Sequence, residues 1–147
     1  MRKEAGHAIA TIALALMAGG LAVVGYVVAP TLFSMLERTR AGEVAGQLFT
    51  WITVLATFCC AVVLSLDYGW LRVGRPWVRG CLVAILVLIA IGHFGLRPQM
   101  AALKSTGAVE AMSAEARAAF ARWHGVSAVL YLLQSVLGLA AVAGWRR

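Results

Sequence analysis

Charge is what this sequence has least of. Of its 147 residues only 13% are charged, against roughly 25% in an ordinary soluble domain. Acidic groups are the scarcest, six beside thirteen Lys and Arg. Four long stretches hold no Asp, Glu, Lys or Arg at all: residues 8–36, 44–66, 80–96 and 123–145, of 29, 23, 17 and 23 residues. A water-soluble fold of this size is therefore excluded. Cysteine is also sparse. Cys59, Cys60 and Cys81 are odd in number and all lie in uncharged runs, so they do not form the framework of a disulfide-stapled domain. They read as small hydrophobic groups facing neighbouring helices. CxxC, HExxH and paired carboxylates within a run are all missing, and with them the strongest sequence signatures of thiol-redox, zinc and acid–base chemistry.

What is present is apolar: 62% of residues are hydrophobic and the mean hydropathy is +0.86. A helix needs about 20 mainly apolar residues to cross roughly 30 Å of hydrocarbon. Three runs meet that length. The third is short, but Arg79 and Arg97 flank it and can reach the two headgroup layers. Backbone polar groups in lipid must pair internally, so the spans are helical or belong to a closed barrel. Barrel strands would alternate apolar and polar residues, which these runs do not. The expected fold is an all-α integral membrane four-helix bundle, one domain over residues 1–147, with spans near 8–36, 43–66, 77–96 and 114–144. The opening Met1-Arg2-Lys3 followed by an apolar run resembles a secretory leader, but the run exceeds the roughly 7–15 residues of a signal core. It reads as a retained first span.

Pro30 predicts a kink or an end in the first span, and Pro98 blocks simple continuation of the third, with Met100-Ala101-Ala102-Leu103-Lys104 able to extend that helix past it. Gly107 and Ser113 interrupt the long third connection. Ser113 is placed to cap the fourth helix, with Glu115 in its first turn. Tyr68, Trp70 and Trp77 stand among Arg72, Arg75 and Arg79, and Trp145-Arg146-Arg147 closes the chain. Aromatics beside arginines mark a headgroup belt. The net charge of +7 and pI of about 10.2 are thus explained by anionic lipid headgroups, and no nucleic-acid partner is expected. With four spans, the termini and second connection carry seven Lys and Arg, the opposite side six. The positive-inside rule then favours cytoplasmic termini, in a bacterial inner membrane.

Polar residues inside the spans fall into two stripes. In the fourth, His124, Ser127, Tyr131, Gln134, Ser135 and Gly138 share one helical face; in the second, Gln47, Thr50, Thr53, Thr57 and Cys60 do the same. Both stripes are expected to face the bundle interior and one another. Interhelical or local hydrogen bonding accounts for them; a conduction path along a polar seam is the alternative. His93 near the end of the third span and His124 at the start of the fourth must lie at similar depth. Two imidazoles at one level could hold haem iron or a transition metal, while interfacial histidines with one hydrogen bond each are the plainer reading. Gly42-xxx-Gly46, Ala15-xxx-Gly19 and Ala18-xxx-Ala22 have small-residue spacing that lets helices approach closely, within the chain or across an oligomer.

The segment Gly25-Tyr26-Val27-Val28-Ala29-Pro30-Thr31-Leu32-Phe33 and the segment Ala41-Gly42-Glu43-Val44-Ala45-Gly46-Gln47-Leu48-Phe49 resemble the small four-span proteins related to transmembrane protein 205. Bacterial members are largely described as a domain of unknown function. Arg97-Pro98 and the stretch from Phe120 to Ser127 carry the likeness to the chain's end. The resemblance implies a four-helix membrane fold and a shared face made by Pro30, Phe33, Gly42, Gly46, Phe49, Pro98 and His124. His93 departs from it, standing where an apolar or amide residue is expected. No reaction comes with the resemblance. The expected role is non-enzymatic: a binding or accessory subunit acting by helix packing with itself or a larger membrane assembly. The alternatives are haem or metal handling by His93 and His124, and transport along the seam of the second and fourth spans.

Overall fold

A computed structural model describes residues 2–71, 75–104 and 113–145. The expected break at Gly107, together with Arg72 and the Arg146-Arg147 pair, lies outside the described residues. Everything described is helical apart from short joints. The first span is α1 (Arg2–Val23), a π-helical turn (Val24–Val28) and α2 (Ala29–Met35) laid end to end. The second is α3 (Arg38–Leu66) continued by a π turn from Asp67 to Leu71. The third joins α4 (Pro76–Ala90), a π turn (Ile91–Leu96) and α5 (Arg97–Lys104); the fourth is α6 (Ala114–Gly144). These are the four apolar, span-length helices that the uncharged runs predict.

The spans are longer than expected, and the π turns explain why. Pro98 does not end the third span at Leu96, and Pro30 does not end the first. Each proline sits in the first turn of a helix that follows a π turn. A proline in a regular helix meets the carbonyl four residues back and lacks the donor to satisfy it. The wider π turn shifts that pairing by one residue: Ala29 N–H reaches Val24 O, and Arg97 N–H reaches Gly92 O. The helix passes the proline without breaking. At the other end of the second span, α3 begins at Arg38 rather than near Glu43. Ser113 caps α6 as its position predicts, Oγ accepting from Ala116 N–H at 3.2 Å.

The four spans form a ring in chain order: first against second, second against third, third against fourth, fourth back on the first. The second and fourth are diagonal. At the centre lie Leu14, Met17 and Leu21 of α1, Cys60 and Val63 of α3, and Leu82 and Ile85 of α4. Cys60 Sγ stands 3.3 Å from Met17 Sδ, and Cys59 is buried beside it. The fourth span contributes small groups instead, Ser135, Gly138, Ala141 and Gly144. A Cβ on Gly138 would stand 3.7 Å from that of Ala18. Gly144 is pressed against Trp77 and Val78. Close approach through small residues is how helices associate without a hydrophobic driving force between them.

Only 17–33% of each span's most apolar window is buried inside the bundle. Ile9, Ile12, Leu16, Trp51, Phe58, Val87, Phe94 and Leu139 all point outward. An apolar surface of that extent is not compatible with water. Hydrocarbon is the solvent.

Candidate functional site

The spans of 28 to 33 residues measure about 42–50 Å at roughly 1.5 Å per residue, well beyond the hydrocarbon. His7, Tyr68, Trp77, Arg79 and Trp145 form a belt at the terminal end. About 20 residues of helix from that belt reach Tyr26, Trp51, Arg97 and Trp123 at the other interface. Residues 30–36, 38–46, 98–104 and 113–122 therefore project past the lipid on the side of the first and third connections. In this projection the ring opens. α2 packs on α3 and α5 packs on α6, with only sparse contact from one pair to the other among the described residues. The floor of this fork is tied by Arg97, whose Nη2 donates to Thr50 Oγ1 at 3.0 Å.

Most of the motif residues border the fork and not the core. Pro30, Phe33, Gly46 and Pro98 are all exposed. Among the described residues nothing lies within 4 Å of where a Cβ on Gly42 or Gly46 would stand. The neighbouring Ala41 and Ala45 take the buried side of α3 instead. The expected close approach of the first two spans is made elsewhere, at Gly20, where a Cβ would stand 2.5 Å from Ile52 Cδ1. Of the other small-residue pairs, Ala18 is buried, whereas Ala15 and Gly19 face outward.

Phe49 is the inward member of the motif. Its ring meets Tyr131 edge-on with centroids 4.9 Å apart. Tyr131 Oη donates to Leu21 O at 2.7 Å, and its ring lies so close to Gly25 that a side chain there would overlap it. One tyrosine thus joins the first, second and fourth spans below the fork. Gly25 is legible in the sequence only as part of the motif, because its contact with a ring more than 100 residues away leaves no local signal.

The two polar stripes do not face each other, because their spans are diagonal in the ring. Thr50, Thr53 and Thr57 donate to the backbone carbonyls of Gly46, Phe49 and Thr53 on their own helix. Gln47 and Thr57 are exposed, Ser127 is half-buried, and Gln134 is buried. Ser135 Oγ donates to Tyr131 O. Hydroxyls that satisfy their own helix's carbonyls are a routine adaptation to lipid. His93 and His124 are both exposed. His93 meets the ring of Phe94, and His124 stacks on Phe120 one turn away. Among the described residues no group of three or more His, Cys, Asp and Glu is arranged to hold a metal.

The structure adds a site that the sequence does not announce. Asp67, expected at the start of a connection, extends the second span and is 1% exposed. Its Oδ2 pairs with Arg79 Nε at 2.5 Å. The guanidinium of Arg79 sits 5.1 Å from the centre of the Tyr68 ring. A signal was present: Asp67 is the sole acid between Glu43 and Glu110, directly against an apolar run.

Four lipid-exposed helices, a forked extramembrane end and a buried acid–arginine pair define a small polytopic α-helical membrane protein. Residues 12–109 match the family described as Domain of unknown function (DUF4149), and the chain belongs to that family. The match takes in Pro30, Phe33, Gly42, Gly46, Phe49, Asp67, Arg79 and Pro98 and stops before α6. No curated protein and no solved structure matches the chain.

Proposed function

We propose that the protein is an accessory membrane subunit whose fork receives a helix of a second membrane polypeptide. The observation that carries this is that no described residue comes within 4 Å of a Cβ placed on Gly42 or Gly46, with Phe33, Met35, Leu36 and Val44 exposed at the same projecting end. Glycine weakens a helix interior by roughly 0.5–1 kcal/mol relative to alanine. No contact within the described chain offsets that at Gly42 and Gly46. A partner backbone packing closely there would offset it, as the small residues Gly138 and Ala18 let two helices of this bundle approach. The kinship with proteins related to transmembrane protein 205 belongs to the same proposal. So does residence in a bacterial inner membrane with the termini in the cytoplasm, in keeping with the slight excess of basic residues on that side.

A photo-crosslinking amino acid at exposed Gln47, activated in native membranes, tests the reading. One discrete heteromeric adduct is expected. It should vanish with Gly46→Leu and persist with Gly19→Leu, an equal change at an open lipid-facing position. An adduct of twice the chain mass would replace the second polypeptide by another copy. A lipid-only product insensitive to Gly46→Leu would overturn the proposal.

A further inference from the structure

At the terminal end, a cavity of about 360 Å³ lies between the first and fourth spans, lined by His7, Ala8, Thr11, Ile12 and Trp145. A second, of about 290 Å³, runs along the lipid-facing groove of the first and second spans, from Ile9 and Ile12 to Leu16 on one wall and from Leu55 to Phe58 on the other. Its lining is apolar throughout, and Ile12 belongs to both cavities. The upper cavity sits in the aromatic belt and the lower one below it, so together they trace a path from headgroup level into hydrocarbon.

We infer that this path is a specific site for an anionic glycerophospholipid, its phosphodiester at Lys3 and His7 and an acyl chain over Ile12 into the lower groove. Lys3, His7 and Thr11 follow one another at four-residue spacing and so share one face of α1. Lys3 is exposed one turn above His7, where a phosphate would lie. His7 is held by stacking on Trp145, ring centroids 5.6 Å apart and 20° from parallel. Trp145 closes the cavity with its ring, an aromatic wall at the depth where a lipid's glycerol and esters lie. The lower groove decides between a lipid and a free phosphate, because only a lipid has a chain to fill it. In sequence the two terminal segments carry Arg2, Lys3, Arg146 and Arg147 against the one acid Glu4, an excess that favours an anionic over a zwitterionic headgroup.

Native mass spectrometry of the full chain in mild detergent tests this, with phosphatidylglycerol and phosphatidylcholine of identical chains offered in equal amounts. Phosphatidylglycerol is expected to be retained about tenfold better, the scale of one charge-assisted contact. Lys3→Gln/His7→Leu should bring it down to the phosphatidylcholine level. Leu16→Trp, which fills the lower groove, should displace both lipids, while Leu132→Trp on the outer face of α6 should displace neither. Soluble glycerol phosphate should not compete. Equal retention of the two lipids, or retention unchanged in both site variants, overturns the inference. Competition by glycerol phosphate would put a free-phosphate site in its place and overturn it equally.

Discussion

Asp67 and Arg79 are held together across the second connection, the acid fully buried at the end of one span and the arginine at the start of the next. The pair fixes two helix ends to each other at the belt, where neither is in bulk water. A lone carboxylate at that depth would be expensive to keep charged. The turn that carries Asp67 also packs on α1, so the pair anchors three spans.

Removing one partner should therefore cost more than removing both. Breaking a buried ion pair costs about 3–5 kcal/mol, and the lower end applies because Arg79 retains 27% exposure. Asp67→Leu alone is expected to lower the unfolding temperature in detergent markedly. The double variant Asp67→Leu/Arg79→Leu should recover most of the loss. Additive losses in the two single variants would mean that the pair is not an energetic unit.

The spans themselves were readable because lipid imposes a simple rule: charge ends a span. The four helices and the anchoring aromatics both follow from it. The rule misled at Asp67 for the same reason, since a charge beside an apolar run looks like a boundary. Only the fold, by returning Arg79 to it, keeps Asp67 inside. The span end past Leu66 was missed, and the continuation past Leu96 was legible only as an alternative, because π turns have no composition of their own. They show only as the geometric answer to Pro30 and Pro98. The facing of the two polar stripes failed at another level, since helical periodicity gives a face but not the neighbour it meets. Gly42 and Gly46 were legible as a motif, yet whether their partner lies in this chain is a tertiary fact.

The glycines consequently divide into two groups with opposite responses. Gly25 and Gly144 lie against Tyr131 and Trp77 with no room for a methyl group. Alanine at either should destabilise by about 1–3 kcal/mol through overpacking. Alanine at Gly42 or Gly46 meets open space and should stabilise by up to about 1 kcal/mol through helix propensity. Thermal unfolding of the four single variants in one detergent reads both signs. Destabilisation by Gly46→Ala in the isolated protein would show that the face is used within the fold.

His93 and His124 each rest on a ring of their own helix and are exposed. The purified protein is therefore expected to show no Soret band, and His93→Ala and His124→Ala should unfold within about 0.5 kcal/mol of the parent, as surface substitutions do. A Soret band, or bound metal abolished by either variant, would establish the haem or metal reading in place of packing alone.

Gln134 gives the sharpest contrast between a group the fold needs and one it merely carries. It is buried in the middle of α6 and makes no hydrogen bond to any described residue, while the adjacent Ser135 bonds its own helix. Its amide is not sealed within the bundle, so its accessible edge meets hydrocarbon, which offers no hydrogen bond in place of water, a cost of about 1–3 kcal/mol. Gln134→Leu keeps the volume and removes the amide, so it should raise the unfolding temperature in detergent. Tyr131→Phe, one turn away, should lower it by about 1 kcal/mol through loss of the bond to Leu21 O. If Gln134→Leu instead destabilises the protein, the amide is satisfied in the folded state and not merely carried by it.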